Sequence, residues 1–161
     1  MREAVEKGQI RGCSIRFANV YSPYELHSDH IIPHIIDSIV RNGKLTLLEN
    51  ARTTRRTFLH NVDSCAAVIS LMDSDKSLDG SVYNVGTQEE IYIPDLAVRI
   101  LEFLQRPEVP VYFVGHRDCD PKRRLLNINK IRQATGWAPQ ITLDEGLKQC
   151  ILVRQQQAGI N

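Results

Sequence analysis

The sequence lacks long apolar runs, a net charge and paired cysteines, and each absence excludes a class of protein. No apolar stretch approaches the roughly 20 residues needed to cross a bilayer, so we expect no membrane partner. Twenty basic and nineteen acidic side chains leave a formal net charge of +1, which argues against nucleic acid as a partner. No C-x-x-C pair is present, which argues against a zinc site and a disulfide framework; the cysteines are Cys13, Cys65, Cys119 and Cys150. We expect reduced thiols and a cytoplasmic protein.

The composition is typical of one soluble globular domain. Hydrophobic residues make up 42% of the 161 residues and charged residues 24%, a balance that excludes disorder and collagen-like structure. We therefore expect a single domain over residues 1–161. Residues 1–7 are typical of the last turns of a helix that stops at Gly8, so we expect that a preceding segment has been removed.

Apolar periodicity predicts an alternation of strands and helices. Residues 30–41 carry apolar side chains at helical spacing, and Asn42-Gly43 is typical of a helix end. Residues 13–20 are typical of a buried strand. Short strands are also predicted at 45–48, 57–59, 81–85 and 111–114. Strands that alternate with helices through short turns indicate an α/β or α+β fold.

Three polar residues are predicted to open helices by accepting a hydrogen bond from a backbone amide. Asp63 precedes a predicted helix over 64–72, Asn127 precedes one that Gly136 ends, and Thr142 precedes the last helix. All three are residue types that cap helix N-termini.

Five segments, in this order, carry a family resemblance: RFANVYSP, RRTFLHNVD, VYNVG, DPKRR and TGWAPQITLDEGL. They resemble the C-terminal half of extended short-chain dehydrogenase/reductases that act on nucleotide sugars, with UDP-glucuronate decarboxylases and dTDP-glucose 4,6-dehydratases as the most similar members. The resemblance covers about residues 12–150. It implies an α/β fold, the C-terminal lobe of an NAD(P)-binding, Rossmann-like enzyme, and hence a nucleotide-sugar-binding lobe over residues 1–161.

Two motifs of that family are not in the sequence. The family holds the NAD pyrophosphate with a glycine-rich turn at a helix N-terminus, and no G-x-G-x-x-G or G-x-x-G-x-x-G occurs here. The family also uses a Tyr-x-x-x-Lys pair to take the sugar hydroxyl proton, and no tyrosine has lysine at that spacing. The resemblance thus implies NAD for the full-length family, whereas we expect this chain alone to bind none. We expect the Rossmann lobe to be absent and assign no catalytic residue.

The resemblance implies two arginine contacts to a diphosphate. Arg56 matches the arginine of the family's Q-x-R-D-F pattern, where a guanidinium binds phosphate oxygens bidentately. Arg117 matches a second arginine near the nucleotide. Without the resemblance, both are ordinary surface arginines.

Six further residues are implied as ligand contacts. Asn19 corresponds to an amide on the substrate diphosphate, with a turn residue before Tyr21-Ser22-Pro23 as the alternative interpretation. Asn84 corresponds to the wall of the nucleotide pocket, with a residue that satisfies backbone groups at a strand end as the alternative. The base is expected against the strand that contains Leu45 and Leu47. The nicotinamide is expected against Phe17 and Ala18, and core packing accounts equally well for these apolar residues.

Other clusters are better explained without a ligand. Lys122, Arg123 and Arg124 follow two aspartates in a neutral chain, so a solvated loop is preferred to a nucleic-acid patch. His30 and His34 have i, i+4 spacing but lack an H-E-x-x-H carboxylate, so we assign no metal site. Glu49 stands where the family has glycine, and a carboxylate there would repel a diphosphate.

Two functions remain open at this point. The first is a UDP- or dTDP-sugar-binding lobe of an NAD-dependent epimerase, dehydratase or decarboxylase that is inactive alone and works with a Rossmann lobe in trans. The second is a non-catalytic interaction or oligomerisation module that uses an uncovered apolar face.

Overall fold

The computed structural model describes residues 1–159 and has a mixed α/β architecture, which confirms the predicted fold class. The helices are α1 (Arg2–Glu6), α2 (Ile31–Asn42), α3 (Asn61–Met72), α4 (Ile93–Phe103), α5 (Asn129–Thr135) and α6 (Leu143–Gln157). The strands are β1 (Gly12–Phe17), β2 (Asn19–Tyr21), β3 (Leu45–Leu47), β4 (Arg55–Arg56), β5 (Phe58–His60), β6 (Asp79–Val85), β7 (Ile91–Tyr92) and β8 (Val111–Phe113). Glu49–Thr53 and Asp75–Ser77 are 3₁₀ turns.

The chain divides into two compact units. Unit 1 comprises Met1–Val20, Thr57–Glu89 and Leu125–Ile141. Unit 2 comprises Tyr21–Arg56, Glu90–Arg124 and the chain from Thr142 onward. The single nucleotide-sugar-binding lobe over residues 1–161 stays a prediction.

Unit 1 is built on the parallel pair β1–β6, in which Ser14 lies opposite Val82 and Phe17 opposite Val85. Helices α3 and α5 pack together beside this pair. The buried core of the unit consists of Leu59, Ala67, Leu71, Tyr83, Val85, Ile128, Ile131 and Trp137. The indole of Trp137 is the apolar anchor at the end of α5.

The prediction of one buried strand over residues 13–20 is wrong in two respects. Ala18 separates β1 from β2, and β1 is half-buried with an exposed end at Arg16 and Phe17. Within residues 1–159, β1 has a single paired neighbour, β6. Its other edge is therefore open, and its side chains are not enclosed as those of a central strand are.

The predicted cap at Asp63 is also wrong. Helix α3 begins three residues earlier, because the Nδ1 atom of His60 accepts the hydrogen bond from Val62 N and takes the capping role. Asp63 lies in the first turn, is only 3% exposed, and accepts hydrogen bonds from Gln140 N at 3.0 Å and Ile141 N at 2.9 Å. Its carboxylate thus fixes a loop 77 residues away in sequence.

The cap at Asn127 is displaced by one residue. The N-cap of α5 is Ile128, but the side-chain oxygen of Asn127 accepts from Asn129 N at 2.9 Å. Asn127 therefore accepts a hydrogen bond from a backbone amide of the first turn, as expected, but it does so from the position before the N-cap. Gly136 ends α5 in a left-handed conformation, as predicted.

Unit 2 is a set of three helices, α2, α4 and α6, with two small strand pairs. Strand β3 pairs with β8 in parallel, and β4 pairs with β7 antiparallel. The predicted amphipathic helix is confirmed as α2, which buries Ile32, Ile35, Ile36 and Ile39 and ends at left-handed Gly43. Buried Arg154 of α6 donates to Asp37 of α2 at 2.5 Å and to the backbone oxygen of Glu25.

Helix α6 begins with the cap predicted at Thr142. The Thr142 hydroxyl accepts from Glu145 N at 3.3 Å, and the Glu145 carboxylate accepts from Thr142 N at 2.9 Å, which together form a capping box. The hydrogen bonds from Thr142 lower the pKa of Glu145 below its ordinary value of 4.5.

Replacement of Asp63 with alanine is expected to lower the free energy of unfolding by about 2 kcal/mol, because two part-buried backbone amides lose a charged acceptor. Asp73→Ala, at the exposed end of the same helix, is the matched control and should change it by less than about 0.5 kcal/mol. Urea denaturation at neutral pH measures both. Equal midpoints for the two variants would show that Asp63 does not hold the loop.

Replacement of Thr142 with alanine is expected to lower the free energy of unfolding by about 1 kcal/mol at pH 7. Thr142→Ser keeps the capping hydroxyl and should keep most of this stabilisation. Because the folded-state pKa of Glu145 is lowered, its stabilisation is complete above pH 4.5 and is lost as the pH falls through the folded-state value. The difference in melting temperature between wild type and Thr142→Ala should therefore narrow at pH 3. A difference that is constant from pH 7 to pH 3 would contradict the capping box.

Candidate functional site

Arg56 lies on β4 in unit 2, and its side chain is buried rather than directed into solvent. The residue is 8% exposed. Its Nη1 atom donates to the backbone oxygens of Arg55 at 2.8 Å and Pro121 at 2.7 Å, and Nη2 donates to Asp120 Oδ1 at 2.5 Å. The protein thus holds the guanidinium in one orientation.

The guanidinium of Arg56 keeps donors that the protein does not use. A guanidinium has five N–H donors. Within residues 1–159, three of the five are bonded, both on Nη1 and one on Nη2. One donor on Nε and one on Nη2 have no protein acceptor among these residues.

Asp120 is held from both sides. Its Oδ2 atom accepts from Asn50 Nδ2 at 3.2 Å, and Asn50 Oδ1 in turn accepts from Arg117 N at 3.4 Å. Sequence reasoning missed both Asp120 and Asn50. No local pattern could have found them, because Asp120 is 64 residues from Arg56 and 70 from Asn50.

The neighbouring charges of unit 2 are mostly basic. The side chain of Arg117 is exposed in the loop after β8, and its contact with a nucleotide stays a prediction. Glu49, expected to repel a diphosphate, is paired with Arg52 at 2.8 Å, and the Arg52 guanidinium stacks 3.8 Å from the ring centre of Phe113. The carboxylate of Glu49 therefore has a local counter-ion.

The predicted solvated loop at residues 122–124 contains one strong ion pair. Arg123 donates from Nε and Nη2 to the two carboxylate oxygens of Glu90 at 2.7 and 2.6 Å. This bidentate contact lowers the pKa of Glu90. Lys122 and Arg124 are exposed, so they add positive charge to the surface of unit 2.

Leu45 and Leu47 are core residues of unit 2. They are 0% and 4% exposed, whereas Thr46 between them is exposed. Strand β3 directs the two leucines inward because side chains alternate along a strand. A base placed against this strand stays a prediction, and the structure accounts for both leucines by packing.

In unit 1, both predicted asparagines bond to backbone oxygens. Asn19 Nδ2 donates to Thr57 O at 3.2 Å, and Asn84 Nδ2 donates to Asn127 O at 3.2 Å. The contact of Asn84 matches its alternative interpretation as a residue that satisfies backbone groups at a strand end. Asn19 begins strand β2, so it does not lie in the turn of its alternative interpretation. Their contacts with a ligand stay predictions.

The two residues predicted to contact nicotinamide differ in exposure. Phe17 is 42% exposed, whereas Ala18 is buried and donates from its backbone to Val85 O at 2.9 Å. A Cβ atom at Gly86 would lie 2.9 Å from Ala18 Cβ, so a side chain at position 86 would displace Ala18. An assignment of either residue to the nicotinamide stays a prediction.

Binding of NAD by this chain alone stays untested, and the described helices lack the glycine-rich turn by which the family holds the pyrophosphate. The N-caps of the six helices are Met1, His30, His60, Tyr92, Ile128 and Thr142. No helix in residues 1–159 therefore begins at the glycine-rich turn that lets backbone amides approach a dinucleotide. In the same residues, no group of three or more His, Cys, Asp and Glu side chains could hold a metal ion, and no helix is long and apolar enough to span a membrane.

Comparison with known proteins gives relatives that act on nucleotide sugars. UDP-glucuronic acid decarboxylase 6 from Arabidopsis thaliana is 27% identical over 140 residues, which cover 84% of this chain and 39% of the relative. Human dTDP-D-glucose 4,6-dehydratase is 28% identical over 142 residues, 84% of this chain and 39% of the relative. The chain thus spans about two fifths of the length of these relatives.

A solved structure shows the same fold. The dTDP-glucose 4,6-dehydratase of Streptomyces venezuelae, crystallised with NAD and TYD, superposes with a TM-score of 0.87 over 98% of this chain and 48% of that chain, at 23% identity. The sequence profile of the NAD dependent epimerase/dehydratase family matches residues 1–86, more than half of the 161-residue chain. The resemblance identified from the sequence motifs is therefore confirmed, and the chain belongs to the NAD dependent epimerase/dehydratase family, whose members act on nucleotide sugars.

Proposed function

We propose that this chain is the nucleotide-sugar-binding part of an NAD-dependent epimerase, dehydratase or decarboxylase, and that Arg56 binds the diphosphate of a UDP- or dTDP-sugar. The observation that carries the proposal is the state of the Arg56 guanidinium, which is buried, fixed by three hydrogen bonds and left with two free donors. A fixed guanidinium binds phosphate more tightly than a mobile one, because little side-chain entropy is lost on binding.

The charge around Arg56 supports the same ligand. Basic residues outnumber acidic ones in the two segments of unit 2 that surround it, residues 49–56 and 115–124. Three acidic residues lie in these segments: Glu49 is paired with Arg52, and Asp120 with Arg56 itself. The third, Asp118, is exposed. An anionic ligand therefore meets a positive surface, which favours its approach.

We propose no reaction step for this chain alone. Its 161 residues contain neither the glycine-rich turn nor the Tyr-x-x-x-Lys pair. A second polypeptide segment that supplies NAD and the proton acceptor is required for turnover, and the role of this chain is to bind and orient the nucleotide. The sugar that is bound and the reaction that follows depend on the family member to which this nucleotide-binding part belongs.

Nucleotide binding is tested by titration of the ¹⁵N-labelled chain with UDP, dTDP and inorganic pyrophosphate, followed by ¹H–¹⁵N NMR. We expect a dissociation constant of about 1 mM for the nucleotides, because this chain spans about two fifths of its curated relatives and we propose that the rest of their length completes the ligand pocket. Arg56→Lys keeps the charge but removes the planar donors, and it should weaken binding about tenfold.

Arg52→Lys is the matched control for Arg56→Lys, because it makes the same charge-conserving change at an exposed arginine four residues away. It should change the dissociation constant by less than about twofold. Unchanged spectra at 20 mM nucleotide, or equal effects of the two substitutions, would refute the proposed role of Arg56.

A non-catalytic interaction or oligomerisation module is the second candidate, and one feature of α3 favours it. The helix has a single charged residue, buried Asp63, and its solvent face carries exposed Val62, Ile69 and Met72. An apolar stripe of this kind at a helix surface promotes association.

Light scattering distinguishes this second candidate. If α3 mediates self-association, the molar mass rises with protein concentration, and Ile69→Asp returns it to 18.3 kDa. Leu152→Asp, at an exposed leucine of α6, is the matched control and should leave the association unchanged. A monomer at every concentration removes this candidate.

A further inference from the structure

Asp120 is the one acidic side chain bonded to the Arg56 guanidinium in residues 1–159. The two groups form an ion pair with side-chain exposures of 23% and 9%. A buried cation without a partner is costly, since its lost hydration is not replaced. The position of the guanidinium therefore depends on where Asp120 is held.

Asp120 does not depend on Arg56 alone for its own position. Asn50 donates to its second carboxylate oxygen at 3.2 Å. The following backbone is also attached to β4, since Arg55 N donates to Lys122 O at 2.8 Å and Arg55 forms a parallel bridge with Arg123. The carboxylate of Asp120 is thus a fixed part of unit 2.

We infer that Asp120 is a positioning residue for Arg56: it fixes the guanidinium so that the remaining Nε and Nη2 donors face the diphosphate of the bound nucleotide. The inference rests on the proposed function. Asp120 Oδ1, Pro121 O and Arg55 O each accept one hydrogen bond from the guanidinium. These bonds to Nη1 and Nη2 oppose its rotation. Pre-orientation of this kind strengthens binding, because less motion is lost when the ligand arrives.

A simple electrostatic argument predicts the opposite sign. If the carboxylate of Asp120 only competed with phosphate for the guanidinium, its removal would strengthen binding of an anion. The two mechanisms therefore differ in the direction of the effect, and one substitution separates them.

The test compares Asp120→Ala with Asp118→Ala by the same NMR titration with UDP and inorganic pyrophosphate. Asp118 is the matched control, because it lies two residues away, carries the same charge and has a side chain that is 98% exposed. Positioning predicts binding about tenfold weaker for Asp120→Ala and a change below about twofold for Asp118→Ala.

A double substitution checks that Asp120 acts through Arg56. In the Arg56→Lys background, Asp120→Ala should cause no further loss, because there is no planar guanidinium left to orient. Independent losses that add in the double variant would overturn the inference. If Asp120→Ala fails to fold, Asp120→Asn is compared with Asp118→Asn. Asparagine keeps an oxygen for Arg56 but removes the charge, so positioning predicts binding within about twofold of wild type, whereas competition predicts tighter binding and would overturn the inference.

The outcomes for the two proposals are distinguishable. If the wild type binds and Asp120→Ala binds equally well or more tightly, the positioning role is overturned and the proposed function is left intact. Absence of binding by the wild type removes the proposed function, and the positioning role with it. Wild-type binding with a selective loss at Asp120 supports both.

Discussion

A guanidinium buried in a protein needs hydrogen-bond acceptors, and in unit 2 this requirement determines which groups surround Arg56. Burial of an unpaired cation would cost several kcal/mol, so each donor that faces the protein has an acceptor there. Two acceptors are backbone oxygens and the third is the carboxylate of Asp120. The segment that follows Asp120 runs beside β4, and Asn50 and the backbone amide of Arg117 extend the same hydrogen-bonded network.

The same need to satisfy polar groups explains the hydrogen bonds of Asp63 and the capping box at the start of α6. In unit 1, the carboxylate of Asp63 accepts from two consecutive amides in the loop after α5. In unit 2, Thr142 and Glu145 satisfy each other's amides at the start of α6. Both acidic side chains accept hydrogen bonds from backbone amides. Glu145 does so at the start of its own helix, and Asp63 does so for an amide 77 residues away in sequence.

Family membership and the geometry of Arg56 are complementary. The family establishes that related proteins act on nucleotide sugars, and the chain spans about two fifths of the curated relatives it matches. Under the proposed function, the residues of unit 2 offer the diphosphate a fixed guanidinium in a basic setting. The sequence contains neither the family's Tyr-x-x-x-Lys pair nor its glycine-rich turn, so the proposal for these residues concerns binding of the diphosphate and assigns them no reaction step.

The sequence by itself determined the element types, the helix ends at Gly43 and Gly136, the cap at Thr142 and the family. The element types, helix ends and cap depend on periodicity and backbone preference, which are local patterns of a few residues. The family follows from the order of five short motifs along the chain. The sequence also singled out Arg56. The tertiary structure alone decided that Arg56 is buried, that Asp120 and Asn50 hold it, and that Asp63 serves a distant loop and His60 takes its capping role. Partners 64 to 78 residues apart meet only after the chain has folded, and no local pattern encodes which acceptor a distant donor will find.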